Sequence, residues 1–333
     1  MSIRAKIVII ISLIAAAITA ANIGISSVII QGRLSQTISQ DLVNMINIAD
    51  MFISSRITLL KADSAVVALH LAEALERGED IQEALNRERM DEDPNFIALT
   101  VFDKNGVAAV SGNSPTESSW LSQGKYLSLA FEGNSVLSTT RVDEHSGELV
   151  FHICLPIDAQ GRYVLSVTIP GMLFSDLIKN FRMWETGNIF ILDEEGALIA
   201  NYRDALVRDR INFIELGKTD PAYKSIGDFC VRIIDPNERA GEGIYNYDGE
   251  DRYCAWKILT DSLVGWSIGV AAPIREGPTT NVEIGLILGG LIFFIISVGI
   301  AFFVSGIIAK PFLQIEEQNV RLTELSLSEK KRQ

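Results

Sequence analysis

The chain has 333 residues, close to half of them apolar, with 29 basic against 42 acidic side chains and a net charge of −13. That acidic balance leaves no basic surface to neutralise phosphates, which excludes nucleic acid as a partner. The cysteines, Cys154, Cys230 and Cys254, are too few for a disulfide framework, and neither they nor His70, His145 and His152 show metal-ligand spacing.

Residues 7–30 carry no charge and exceed the roughly 20 residues that cross a hydrocarbon layer as a helix. They are expected to form a first membrane span, with residues 1–6 in the cytoplasm because Arg4 and Lys6 precede it. A cleaved signal peptide is the rival reading, since residues 15–21 are rich in small side chains. Residues 31–93 read as a long stalk helix: Ile38, Leu42, Met45, Ile46, Ala49, Phe52, Ile53, Ile57 and Leu60 recur at three- and four-residue steps, and Gly78 and Pro94 interrupt and close it.

Beyond Pro94 the pattern turns to short β-prone runs. Residues 96–102 lead into Asp103-Lys104-Asn105-Gly106 and out through 107–110, the signature of a tight hairpin. Asp193-Glu194-Glu195-Gly196 repeats the arrangement 90 residues later. The second halves echo as well, 148–157 with 163–170 against 252–259 with 266–273. Two copies of one module account for this, at 94–172 and 188–280, with a joining helix at 173–187 and short helices at 126–132 and 221–225. Cys230 and Cys254 of the second copy are read either as a bridge or as buried free thiols.

Residues 284–309 are a second uncharged stretch, followed by Lys310, and are expected to span the membrane back into the cytoplasm, leaving 31–283 outside. Gly285 and Gly289 form a small-xxx-small pair suited to close helix approach and a homodimer. In 310–333, Phe312, Ile315, Leu322 and Leu325 with Asn319 suggest a coiled-coil seam.

In this order, a span, a long helix, two Asp-x-x-Gly hairpin modules and a second span running into Lys310-Pro311-Phe312, the chain resembles the double Cache sensory domain of bacterial transmembrane receptors. The resemblance implies an α+β fold of two PAS-like modules with antiparallel sheets on a long N-terminal helix, flanked by two transmembrane helices. It also implies a small extracellular ligand in the membrane-distal module, 94–172, with 188–280 proximal. The linker after the second span resembles the one preceding the phosphoacceptor helix of membrane sensor histidine kinases, so the expected output is a kinase outside this chain. Chemotaxis receptors, cyclases and phosphatases with similar linkers are the alternatives.

Amino-acid receptors of this family resemble one another in an Arg-x-Trp-Tyr cluster and an Asp in the last distal strand. Here those places read Gln123-Gly124-Lys125-Tyr126 and Thr168, so the ammonium acceptor is missing and a free amino acid is disfavoured. The candidate ligand residues are Trp120, Tyr126, Arg141, Asp143, Phe151 and Thr168, with Arg141 the fork for an anionic group or else the partner of Asp143 or Glu144 on an exposed turn. The aromatic set of the second module, Tyr202, Tyr245, Tyr247, Tyr253 and Trp256, is read either as the lining of a second pocket or, in preference, as sheet core. No catalytic residue, cofactor or metal is expected. A membrane-anchored extracellular hydrolase is the alternative of another class, and it lacks a Gly-x-Ser-x-Gly elbow.

Overall fold

The computed structural model describes residues 3–88, 95–112, 124–143, 146–259, 265–277, 284–305 and 307. Trp120, Pro94 and the predicted coiled coil at 310–333 lie outside these residues. The chain divides into two compact units, Met1–Thr37 with Pro278–Gln333, and Ile38–Gly277.

In the first unit the apolar helix Ile284–Ser305, with mean hydropathy 2.8, is long enough to cross a bilayer. The predicted first span is helical, but its described apolar stretch is Ser12–Ser26, shorter than a crossing needs. Gly290 faces Ile23, whose Cδ1 lies 2.5 Å from where a Cβ would sit, whereas Gly285 and Gly289 have nothing within 4 Å.

The predicted stalk belongs to α1 (Ile3–Glu76). Within the second unit its stripe of Ile38, Leu42, Ile46, Ala49, Ile53, Ile57 and Leu60 is fully buried in one core that both sheets share. Each of the larger side chains contributes about 1.5–3 kcal/mol on burial. Phe52, read as part of the stripe, is instead 43% exposed and meets Phe181 at 5.6 Å. Gly78, at φ +74°, supplies the left-handed turn after α1. Asp80 then caps α2 (Ile81–Arg87) by accepting from the Gln82 and Glu83 backbone N–H groups.

The first sheet runs β2-β1-β6-β5-β3, from β1 (Ala98–Asp103), β2 (Gly106–Gly112), β3 (Val136–Leu137), β5 (Leu149–Pro156) and β6 (Val164–Pro170), with β4 (Arg141–Val142) also paired to β5. The second runs β10-β11-β12-β8-β7, from β7 (Arg182–Met183), β8 (Gly187–Leu192), β10 (Ala240–Tyr247), β11 (Glu250–Ile258) and β12 (Ser267–Pro273), with β9 (Leu198–Ala200) paired to β8. All pairs are antiparallel, and both expected hairpins form: Asp103 accepts from the Asn105 and Gly106 N–H groups, Asp193 from those of Glu195 and Ala197. The copies pair in matching register, since Val150 faces Pro170 as Arg252 faces Pro273.

Helix α3 (Lys125–Phe131) covers the first sheet, and α4 (Leu173–Ile178) joins the modules. The joining helix ends well before residue 187 because Arg182 and Met183 are drawn into pairing with β8. Across the second sheet lie α5 (Asp204–Arg208), α6 (Phe213–Thr219) and α7 (Lys224–Ile233). Sequence reading missed most of this layer, although Asn212 three residues before Glu215 is a helix-start signal and Ile226, Phe229, Cys230 and Ile233 form a buried helical stripe.

Candidate functional site

Alternation along a strand sends neighbours to opposite faces, so each sheet has one face on the α1 core and one beneath its own small helices. On the first sheet, Leu99, Val101, Phe151, Ile153, Leu165 and Val167 point to the α1 core. Phe102, Cys154 and Val164 point the other way and pack under Tyr126, Leu127 and Ala130 of α3. Residues directly opposite in a ladder share a face. Thr168 lies opposite His152, and Arg141 opposite Val150, so both belong to the α3 face.

Three of the six predicted residues therefore converge, each from a different element: Tyr126 from α3, Arg141 from β4 and Thr168 from β6. Phe151 does not join them. It points to the opposite face and stacks on Phe174 at 5.3 Å and edge-on to Trp266 at 6.3 Å, which ties the two modules and α4 together. Asp143 is turned to a local task, accepting from the Ser146 N–H at 2.8 Å and hydroxyl at 2.6 Å.

Structure adds residues that the sequence did not single out. The buried His152 Nδ1 lies 3.2 Å from the Ser166 hydroxyl and 3.3 Å from that of Thr168. Burial pushes this imidazole down to a pKa of about 4, with Asp143 opposing, so the face is neutral there at physiological pH. Tyr126 donates its hydroxyl to Glu194 at 3.2 Å and accepts from the Thr139 N–H at 3.3 Å. Burial, more than the nearby carboxylates, pushes this phenol far above its ordinary range.

Beside Tyr126 the second module's hairpin turn docks on the first module. The carboxylate of Asp193, fully buried, accepts from the Thr139 hydroxyl and from Arg210 Nη2 at 3.2 Å. Arg210 adopts a left-handed φ of 46°, and its Nε is buried with no hydrogen-bond partner. Desolvation first, and then repulsion from Arg141, lowers the pKa of its guanidinium. Arg210 is thus held on a buried carboxylate while Arg141 lies close enough to repel its guanidinium, and two neighbouring cations suit an anionic group arriving there.

The second sheet presents the corresponding face to α5–α7, and there it lines a partly open cavity of about 50 Å³. Tyr202, Tyr245, Tyr247 and Arg252 line it, so three of the tyrosines read as core border open space. Trp256 packs on Phe229 at 5.1 Å instead. All three cysteines are buried free thiols, which settles the alternative left open for Cys230 and Cys254.

A family model described as Cache domain matches residues 18–278. A comparison with curated proteins gives no significant match. Among solved structures, the ligand-binding domain of the Pseudomonas fluorescens chemoreceptor CtaA in complex with L-isoleucine is 15% identical, with 75% of this chain and 97% of that one covered and a TM-score of 0.53. The ligand-binding domain of the Pseudomonas aeruginosa PAO1 amino acid chemoreceptor PctB in complex with L-Arg is 15% identical over 71% and 94% of the two chains, at 0.52. The extracellular domain of mmHK1S-Z2, described as a histidine kinase, is 15% identical over 72% and 98%, at 0.56. At these identities the likeness is one of fold.

Proposed function

The chain belongs to the Cache domain family of sensory ligand-binding domains, and on that footing we propose that it is a transmembrane receptor that binds a small extracellular organic acid on the α3 face of its first module. The observation that carries this reading is the convergence of Tyr126, Arg141 and Thr168 on one face, with Arg210 at its end. Arg141 takes the ligand's carboxylate, and the hydroxyls of Thr168 and Ser166 with neutral His152 meet its polar body. CtaA and PctB are described with amino acids bound. An α-ammonium would need a carboxylate; Thr168, Ser166 and His152 supply none, and the nearby Asp143 and Asp193 are taken up by Ser146 and by Arg210 with Thr139, so an organic acid suits this face better.

The receptor crosses the membrane twice, with 31–283 outside and both termini in the cytoplasm, and acts as a homodimer through its membrane helices. Support comes from the uncharged run 7–30, from the helix Ile284–Ser305, and from Gly285 and Gly289, which have nothing within 4 Å. Signal passes to a cytoplasmic output, a histidine kinase. Because both sheets share the buried stripe of α1, a ligand that repacks either module acts on that helix. Full reversal of a 1:99 equilibrium needs a difference of about 5.5 kcal/mol in ligand affinity between the two states.

Thermal unfolding of the full chain in lipid nanodiscs against organic acids, amines, sugars, nucleosides and amino acids tests the reading. A ligand at about 100 times its Kd adds about 2.7 kcal/mol. A hit among the acids that Arg141→Met abolishes supports the proposal. A hit indifferent to Arg141→Met, or a response to amino acids alone, overturns it.

A further inference from the structure

The duplicated sheets allow position-by-position comparison of their helix-covered faces. Through the pairs Val150–Pro170 and Arg252–Pro273, Arg252 of β11 occupies the place that Val150 holds on β5. In the first module Arg141 lies opposite Val150, and in the second Tyr245 lies opposite Arg252. Each module thus carries one guanidinium at the same end of the same face, delivered by a different strand.

The surroundings of Arg252 are those of a binding group. Its residue is 8% exposed, it lines the cavity, and its Nε is buried with no hydrogen-bond partner. Among the described residues its carboxylate neighbour is Glu250, which reaches Nη2 at a long 3.6 Å through one oxygen while Arg275 holds the other at 2.5 Å, and the Tyr247 ring stands 5.9 Å from the guanidinium carbon. Asn188 and Asn201, both buried, line the same cavity. The remaining wall is apolar, with Phe190, Phe229 and Ile233 among it. A buried Nε donor with no acceptor, on a guanidinium whose ion pair is long and shared, is costly unless a further acceptor completes it.

We infer that the second module binds a short-chain organic monocarboxylate, its carboxylate on Arg252 and its alkyl tail among Phe190, Phe229 and Ile233, at a site separate from the one proposed for the first module. Size supports the class: about 50 Å³ corresponds to about three to five waters, at roughly 10–15 Å³ each on this measure. Inorganic phosphate fits poorly, because it would bring a second charge and leave the apolar wall uncovered.

Calorimetric titration of acetate, propionate and butyrate into the full chain in nanodiscs tests the inference, with butyramide and inorganic phosphate as controls. Propionate or butyrate should bind, butyramide and phosphate should not, and Arg252→Met should weaken binding at least about 30-fold. Arg252→Lys should retain part of the affinity, and Arg141→Met should leave it unchanged. Ile226→Phe, which fills the cavity without touching the charge, should also abolish binding and decides the matter if Arg252→Met does not fold. Carboxylate binding that survives both Arg252→Met and Ile226→Phe overturns the inference. So does binding lost only in Arg141→Met, which assigns the acid to the first module, and so does absence of binding up to about 10 mM. The first-module reading is judged separately, by the Arg141→Met response to the broad panel.

Discussion

Replacing Asp193 by asparagine should unfasten the first module from the second. In the native chain one oxygen of this fully buried carboxylate accepts from the N–H groups of Glu195 at 3.0 Å and Ala197 at 2.8 Å, while the other accepts from Thr139 and from Arg210 at 3.2 Å. Asparagine keeps the first oxygen and so keeps the turn. It puts an NH2 where Arg210 and Thr139 donate, and Arg210 then keeps the repulsion from Arg141 without the attraction of Asp193. Breaking a buried ion pair from one side costs about 3–5 kcal/mol, and the low end applies here because the exposed fraction of Arg210 lets water solvate the orphaned cation. Its side chain is 17% exposed against 0% for Asp193, so Arg210→Met, which strands the fully buried anion, should cost more than Asp193→Asn. For a domain of this size about 1 kcal/mol shifts Tm by about 2–4 °C, giving a fall of roughly 6–12 °C for Asp193→Asn. The double variant should cost less than the sum of the singles by about 1–3 kcal/mol. Scanning calorimetry of the full chain in nanodiscs reads all three. A Tm within about 2 °C of wild type, or strictly additive singles, would refute the buried clasp.

Three further outcomes follow from the same geometry. His152 has a folded pKa near 4 against an ordinary 6.5 because it is buried. The unfolded chain therefore binds the extra proton, and stability present above pH 6.5 is lost as pH falls toward 4. Between about pH 7 and 5 the loss should be about 2 kcal/mol, and His152→Gln should remove that slope in denaturant titrations. If the variant keeps the slope, His152 is not its source. Burial raises the pKa of the Cys154 and Cys230 thiols to about 12 and that of Cys254 well above its ordinary value. Iodoacetamide should thus label none of the three until the chain unfolds, and labelling under native conditions would contradict their burial. Phe151→Ala opens a void among Phe174 and Trp266 and should cost about 3–5 kcal/mol; thermal unfolding with a loss under about 1 kcal/mol would show that this aromatic junction does not bind the modules together.

Local chemistry made some of this protein legible from the chain alone. Stripe periodicity placed Ile38 through Leu60 on one buried helix face, and the Asp-x-x-Gly repeats at Asp103 and Asp193 announced two hairpin modules, because turn chemistry and helical period act over only a few residues. The same locality explains the misses. Phe151 and His152 are neighbours in sequence, and alternation sends one to the α1 core and the other toward Thr168; which of them faces the ligand side depends on which face α3 covers. Charge gave no more guidance. Arg141 and Arg252 look alike as isolated basic residues, and only strand pairing puts each at the same end of its own sheet. Composition, periodicity and turns determined the elements and their duplication. Tertiary structure alone decided the buried partners, the clasp of Asp193 with Arg210 and the cavity at Arg252, since contacts between distant residues depend on register and packing.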